Sequence, residues 1–270
     1  MTVTARDASR RLRQHAVPGA ADVLQRFFKT GPGEYGEGDR FLGVKVPATR
    51  RVCRECRGMA LEEIERLLQS RIHEERLLAL LILVDAFAAA DAAGRRRIYD
   101  FYLQQTAFIN NWDLVDASAA QIVGACLRDR SKAPLARLAR SRSLWKRRIA
   151  MIATFDGIRR GELDATFRIA DLLLHDEHDL IHKAVGWMLR EAGKRDGAAA
   201  RRFLASRYRT MPRTALRYAI ERFPERERKR YLGGTVRSVR QASGSARSDS
   251  SAAGSSMNRS RPSKSPLPKR

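Results

Sequence analysis

The chain reads as an all-α protein built as an α-solenoid, a superhelix of stacked helix pairs with a basic concave face. Apolar residues recur at three- and four-residue spacings almost throughout, while strand-like alternation and hairpin turn pairs are scarce. Helix starts near Glu74, Trp112, Leu144, Asp179 and Pro212 lie 38, 32, 35 and 33 residues apart, and a shorter helix precedes each one. Paired helices at that period are the pattern of a solenoid, whose inner helices line a concave face. A basic residue sits near four of those starts, Arg76, Arg148, Lys183 and Arg213, so the concave face reads as a positive groove.

Along the chain, the spacing predicts helices over 5–15 and 19–29, a glycine-rich connection, and helices over 46–57 and 60–69. The helix over 74–89 holds the longest apolar run, Leu77 to Val84, which stops at Asp85. That run is far short of the ~20 residues of a bilayer span and reads as a buried helix. A helix over 92–105 precedes one over 112–127, which Asn110 or Asn111 caps and to which Asp113 gives an acidic first turn. Helices over 133–140 and 144–156 follow; the second opens with Leu144-Trp-Lys-Arg-Arg148 and is otherwise apolar through Ile149–Phe155. After a helix over 162–174, His175 to Asp179 supply loop and cap residues for one over 178–194, where Gly186 permits close approach. Helices over 197–207, 212–222 and 224–231 complete the repeat domain, placed at 1–233. Residues 235–270 contain eleven Ser, three Pro and almost no large apolar side chain, so 234–270 is expected to be a disordered basic tail.

Charge narrows the function. Fifty-three Lys and Arg against thirty Asp and Glu give +23, of which residues 235–270 carry +7 and the rest +16. The helical part is therefore basic in its own right, and such a field attracts polyanions, nucleic acid before an anionic membrane surface. The 43% hydrophobic content is enough for a sizeable core. Three cysteines, Cys53, Cys56 and Cys126, argue against a disulfide framework and suit a reducing cytoplasm. The polar, Arg-rich start has no apolar stretch of signal-peptide length.

Two motifs carry less than they promise. Gly31-Pro-Gly-Glu-Tyr-Gly36 matches a dinucleotide-binding string, but a helix pattern precedes it and no helix opens after it. The Cys53/Cys56 pair lacks the second pair that a structural zinc site needs, so no metal is expected. More chemistry lies in Asn110-Asn-Trp-Asp-Leu-Val-Asp116. Asp116 falls three residues after Asp113 and four after Trp112, so two carboxylates and an indole share a helix face. From this segment alone, a surface aspartate paired with a basic neighbour is the simpler account. Trp145 and Arg148 open a second inner helix, and Lys183 stands four residues before Trp187 on a third.

At these residues the chain resembles the AlkD-like DNA alkylation repair family of HEAT-like repeat glycosylases. The likeness rests on Phe28-Lys-Thr-Gly-Pro-Gly-Glu-Tyr-Gly-Glu-Gly-Asp39, Phe41-Leu-Gly-Val-Lys-Val-Pro47, Asn111-Trp-Asp-Leu-Val-Asp116, Trp145-Lys-Arg-Arg148, the stretch from His178 to Glu191, and Arg217 to Pro224. It spans roughly residues 20–232. The resemblance implies a HEAT-like helical repeat superhelix. It also implies that Trp112 and Trp187 contact the lesion's sugar, that Asp116 is the catalytic carboxylate and that Arg148 is the groove arginine. Some members have an aromatic residue where this chain has Asn111. The Ser-rich tail is not a feature of the family.

The implied function is a DNA glycosylase that removes cationic alkylated purines from double-stranded DNA and acts as a monomer without cofactor or metal, in the cytoplasm of a bacterium in association with the nucleoid. Lys146, Lys183, Arg190 and Arg213 join Arg148 as expected phosphate contacts. A purine alkylated at N3 or N7 leaves as a neutral base, so no paired general acid is needed, and one carboxylate suffices to stabilise the sugar's oxocarbenium character and place a water. The resemblance implies that this happens without flipping the base into a pocket. A non-catalytic repeat protein that binds nucleic acid through the same groove fits the charge and the repeats equally well.

Overall fold

The computed structural model describes residues 3–236. Helices α1 (Ala5–Arg13), α2 (Ala20–Phe27) and α3 (Val46–Glu55) form the N-terminal end, followed by α4 (Leu61–Leu68) and the long α5 (His73–Ala89). Next come α6 (Ala92–Gln104), α7 (Trp112–Asp116) and a π-helical turn at Ala120–Gly124. The remainder is α8 (Ala133–Ala139), α9 (Leu144–Ala153), α10 (Phe155–Arg160), α11 (Asp164–Leu173), α12 (Asp179–Arg195), α13 (Gly197–Ala205), α14 (Arg213–Ala219) and α15 (Glu225–Leu232). Among the described residues, β-type pairing is confined to an isolated bridge between Arg40 and Ile72. No helix there is long and apolar enough to cross a membrane.

The paired architecture follows the predicted repeat. The five inner helices begin at His73, Trp112, Leu144, Asp179 and Arg213. A shorter helix precedes α5, α9 and α12, but the order is reversed in two pairs: α6 has 13 residues against five in α7, and α13 has nine against seven in α14. The core runs along the inner helices. Every residue from Leu77 to Leu83 on α5 and from Ile149 to Ala153 on α9 is buried, which explains their unbroken apolar runs. Between α12 and α14 the contact is close because of Gly186. A Cβ there would lie 2.5 Å from both the Ala215 carbonyl oxygen and the Tyr218 Cβ.

Two predicted helices are interrupted. The one over 112–127 stops at Asp116 and resumes as a π turn. At the break, the Ser118 hydroxyl donates to the Leu114 carbonyl at 2.6 Å and lies 2.9 Å from the Tyr102 hydroxyl. Such back-bonding competes with the helical ladder and bends it. The helix over 144–156 breaks at Thr154, whose hydroxyl donates to the Met151 carbonyl at 2.8 Å, and α10 begins afresh at Phe155.

The chain just past 233/234 also contacts the repeat body. Tyr208 Oη lies 3.0 Å from the carbonyl oxygens of Gly234 and Val236, so those residues pack onto the repeat body. The rest of the expected tail, 237–270, lies outside the described residues.

Candidate active site

Four inner helices converge on a cavity of about 530 Å³. Trp112 comes from α7, Arg148 from α9, Leu180, Lys183, Trp187 and Arg190 from α12, and Tyr218 from α14. Phe27 at the end of α2 and Lys29 and Tyr35 from the glycine-rich loop close the other side. Both expected tryptophans are thus wall residues, half-buried.

The glycine loop is part of the site rather than a bare connector. Glu74, buried at the start of α5, accepts from the backbone N–H groups of Leu42, Gly43 and Val44 at 2.9–3.1 Å. Lys29 adopts a left-handed backbone at φ 52°, a conformation a non-glycine residue rarely holds unless its surroundings fix it. Its carbonyl accepts from Gly36 N at 3.0 Å, and a Cβ at Gly36 would come within 2.5 Å of the Phe28 carbonyl oxygen. This fold-back carries Tyr35 to the cavity, where its ring meets Trp145 edge-on at 6.2 Å.

Trp112 is held from behind by a column of rings. It stacks on Phe28 at 5.3 Å, Phe28 on Phe41 at 5.1 Å, and Phe41 on His73 at 4.6 Å. Asn111 is fully buried and does not reach the cavity. Its Oδ1 accepts from Trp112 N at 2.8 Å as the N-cap of α7, and its Nδ2 donates to Asp39 at 3.3 Å. The Asn111 side chain is thus tied to the start of the helix that carries the tryptophan.

Asp116, the last residue of α7, is gripped at both oxygens by Arg148. Nε donates to Oδ1 at 2.9 Å and Nη2 to Oδ2 at 2.7 Å, while Nη1 donates to the Leu180 carbonyl at 2.5 Å. Burial raises the Asp116 carboxyl above the ordinary aspartate range; the guanidinium opposes this and Asp113 adds to it. The reading of Asp116 as a carboxylate paired with a basic neighbour thus holds for the contact, although the pair is inside. Asp116 is not a wall residue as the spacing implied: Arg148 lines the cavity and Asp116 adjoins it, with 17% of its side chain exposed.

The expected phosphate contacts divide. Lys183 and Arg190 line the cavity, Lys183 paired with Asp179 at 2.7 Å and Arg190 with Glu191 and Glu221. Lys146 and Arg213 do not line it; Arg213 is exposed and donates to the Leu232 carbonyl at 2.9 Å. Arg76 is no groove cation either. It is 4% exposed and pairs with Asp39 at 2.6 Å. His178 is the expected cap, its Nδ1 accepting from Leu180 N at 3.1 Å, and Asp176 binds Arg147. Sequence spacing missed Phe27, Lys29, Tyr35 and Tyr218. Lys29 and Tyr35 lie within the glycine-rich stretch that carries the resemblance, but only the folded loop reveals which way they face.

The family model of DNA alkylation repair enzymes matches residues 8–223, most of the chain and all of the site. The chain belongs to that family. A solved structure of a predicted DNA alkylation repair enzyme from Enterococcus faecalis shares the fold of this alkylation repair chain, with a TM-score of 0.60 and 17% identity over 77% of this chain and 96% of that one. No curated protein matches it.

Proposed function

We propose that this family member is a DNA glycosylase that hydrolyses the N-glycosidic bond of cationic alkylated purines, 3-methyladenine and 7-methylguanine among them, in duplex DNA. The observation that carries the reading is one carboxylate, Asp116, held by a bidentate guanidinium beside a cavity that two indoles wall. The open, cation-bearing cavity suits a sugar–phosphate backbone, with Lys183 and Arg190 as its phosphate contacts. Trp112 and Trp187 present ring faces to the sugar, where growing positive charge favours a π surface. The alkylated base leaves neutral, so what the site must supply is a fixed negative charge against the oxocarbenium-like sugar and a seat for water. Asp116 meets both needs. Arg148 opposes the burial that favours its protonated form, and its exposed edge accepts a hydrogen bond from the attacking water.

The paired state of Asp116 favours a second reading. A carboxylate whose two oxygens both bind an arginine also serves a structure that only binds nucleic acid. Base release separates the two: under the glycosylase reading the wild type frees methylated purines and Asp116→Asn does not, whereas a binding protein frees none. Neutral uracil is retained by both variants, because it lacks the positive charge that lets an alkylated purine leave as a neutral base.

A further inference from the structure

His73, the first residue of α5, is almost fully buried and faces a carboxylate with each ring nitrogen. Nδ1 lies 3.0 Å from Asp39 Oδ2, and Nε2 lies 2.8 Å from Asp113 Oδ2. A neutral imidazole has one N–H and one lone pair, so one of these contacts would set a lone pair against a carboxylate oxygen. The imidazolium donates to both. Charge then balances within the cluster: Asp39 and Asp113 oppose His73 and Arg76, whose Nη2 donates to Asp39 Oδ1 at 2.6 Å. Asn111 adds a neutral donor to Asp39, and the Phe41 ring stacks on the imidazolium, an arrangement that favours a cation.

The cluster reaches the site through α7. Asp113 is in the first turn of that five-residue helix, next to Trp112, and Asp116 ends it. The groups that face Asp116 are Arg148 from α9, Asp113 on its own helix and the Tyr102 phenol from α6. An uncompensated Asp113 would push Asp116 towards its protonated form, in which it cannot stabilise a cationic sugar.

We propose that His73 is a positioning residue of the base-release site: as a buried imidazolium it ties Asp39 to Asp113, fixes the turn that carries Trp112, and cancels the Asp113 charge so that Asp116 stays anionic. The assignment rests on the glycosylase reading for its purpose, but not for its test. Full-length protein carrying ¹⁵N-histidine shows both His73 ring nitrogens protonated at neutral pH, the signal being assigned by its loss in His73→Gln. The Asp116 carboxyl carbon, followed by ¹³C NMR, titrates at a midpoint that rises by about one pH unit or more in His73→Gln, falls in Asp113→Asn, and returns towards wild type in the double variant. The acid limb of methylated-base release moves in the same directions. A neutral His73 at neutral pH, or an Asp116 midpoint indifferent to both substitutions, overturns the proposal. If His73→Gln does not fold, the wild-type ring signals and Asp113→Asn still decide it. If the wild type releases no base, the glycosylase reading fails while both NMR readouts stand.

Discussion

Replacing Arg148 by methionine tests how the Asp116 carboxylate is held. The substitution removes three contacts at once, two to Asp116 at 2.9 and 2.7 Å and one to the Leu180 carbonyl at 2.5 Å. Methionine fills much of the same volume, so the loss is electrostatic rather than a cavity. Breaking one side of a buried ion pair costs about 3–5 kcal/mol, because the remaining charge stays out of water. For a domain of this size each kcal/mol moves Tm by about 2–4 °C, so the expected drop is about 6–20 °C. A net stability of about 10 kcal/mol, the middle of the usual range, leaves the variant folded at room temperature. The deficit depends on pH with a definite sign. The folded-state pKa of Asp116 is already raised by burial, and without the guanidinium it rises further. A group with a raised folded pKa weakens the fold where it must ionise, so the deficit is full at about pH 8 and shrinks towards about pH 5. Urea titrations of both proteins at the two pH values measure this directly. A loss under about 1 kcal/mol, or one equal at both pH values, would refute the account of a buried, charge-coupled pair.

Gly186→Ala forces a methyl group against the Ala215 backbone and the Tyr218 side chain; overpacking of about 1–3 kcal/mol should appear as a lower urea midpoint with an unchanged m-value. Lys183→Gln should weaken duplex binding alike for damaged and undamaged DNA and reduce the slope of log K against log salt by about 0.9, read by fluorescence anisotropy. The wild-type fold should lose stability as pH rises through the His73 range. Burial disfavours the imidazolium but the two carboxylates win and raise its pKa, so the contribution is complete below the unfolded value of about 6.5 and lost above the folded one. Asp39 works in the opposite direction. Burial raises its carboxyl, but His73 and Arg76 bring it below the ordinary range, so its contribution is lost as pH falls. Unfolding free energy measured across pH should therefore pass through a maximum.

Much of the architecture was legible in the sequence because it depends on periodicity. The apolar run of α5, the recurring inner-helix starts and the glycine at the α12–α14 contact are local signals with one reading each. The interruption after Asp116 was not visible, since residues 112–127 keep helical spacing and the break comes from a serine hydroxyl that bonds to its own backbone. Of the residues that line the cavity, Trp112, Arg148, Lys183, Trp187 and Arg190 on inner helices had been singled out from spacing and charge. Lys29 and Tyr35 were missed because a loop carries them and no spacing rule says where they will face, while Phe27 and Tyr218 sit on helices without a charge or spacing signal to mark them. Charge misled at Arg76. It read as a groove cation, but its partner Asp39 is 37 residues away along the chain, and burial of the pair takes that positive charge out of the open surface. His73 escaped notice because an isolated histidine before a helix has no pattern; only two carboxylates from separate segments give it a role.

What Asp116 does to an alkylated nucleotide decides the glycosylase assignment. Duplex DNA treated with a methylating agent is incubated with wild type and with Asp116→Asn, and the freed bases are identified by mass spectrometry while DNA binding is measured in parallel. The wild type should release 7-methylguanine or 3-methyladenine, and the variant should release neither while still binding the duplex. Equal release by both proteins, or none by the wild type at concentrations where it binds, would contradict the assignment.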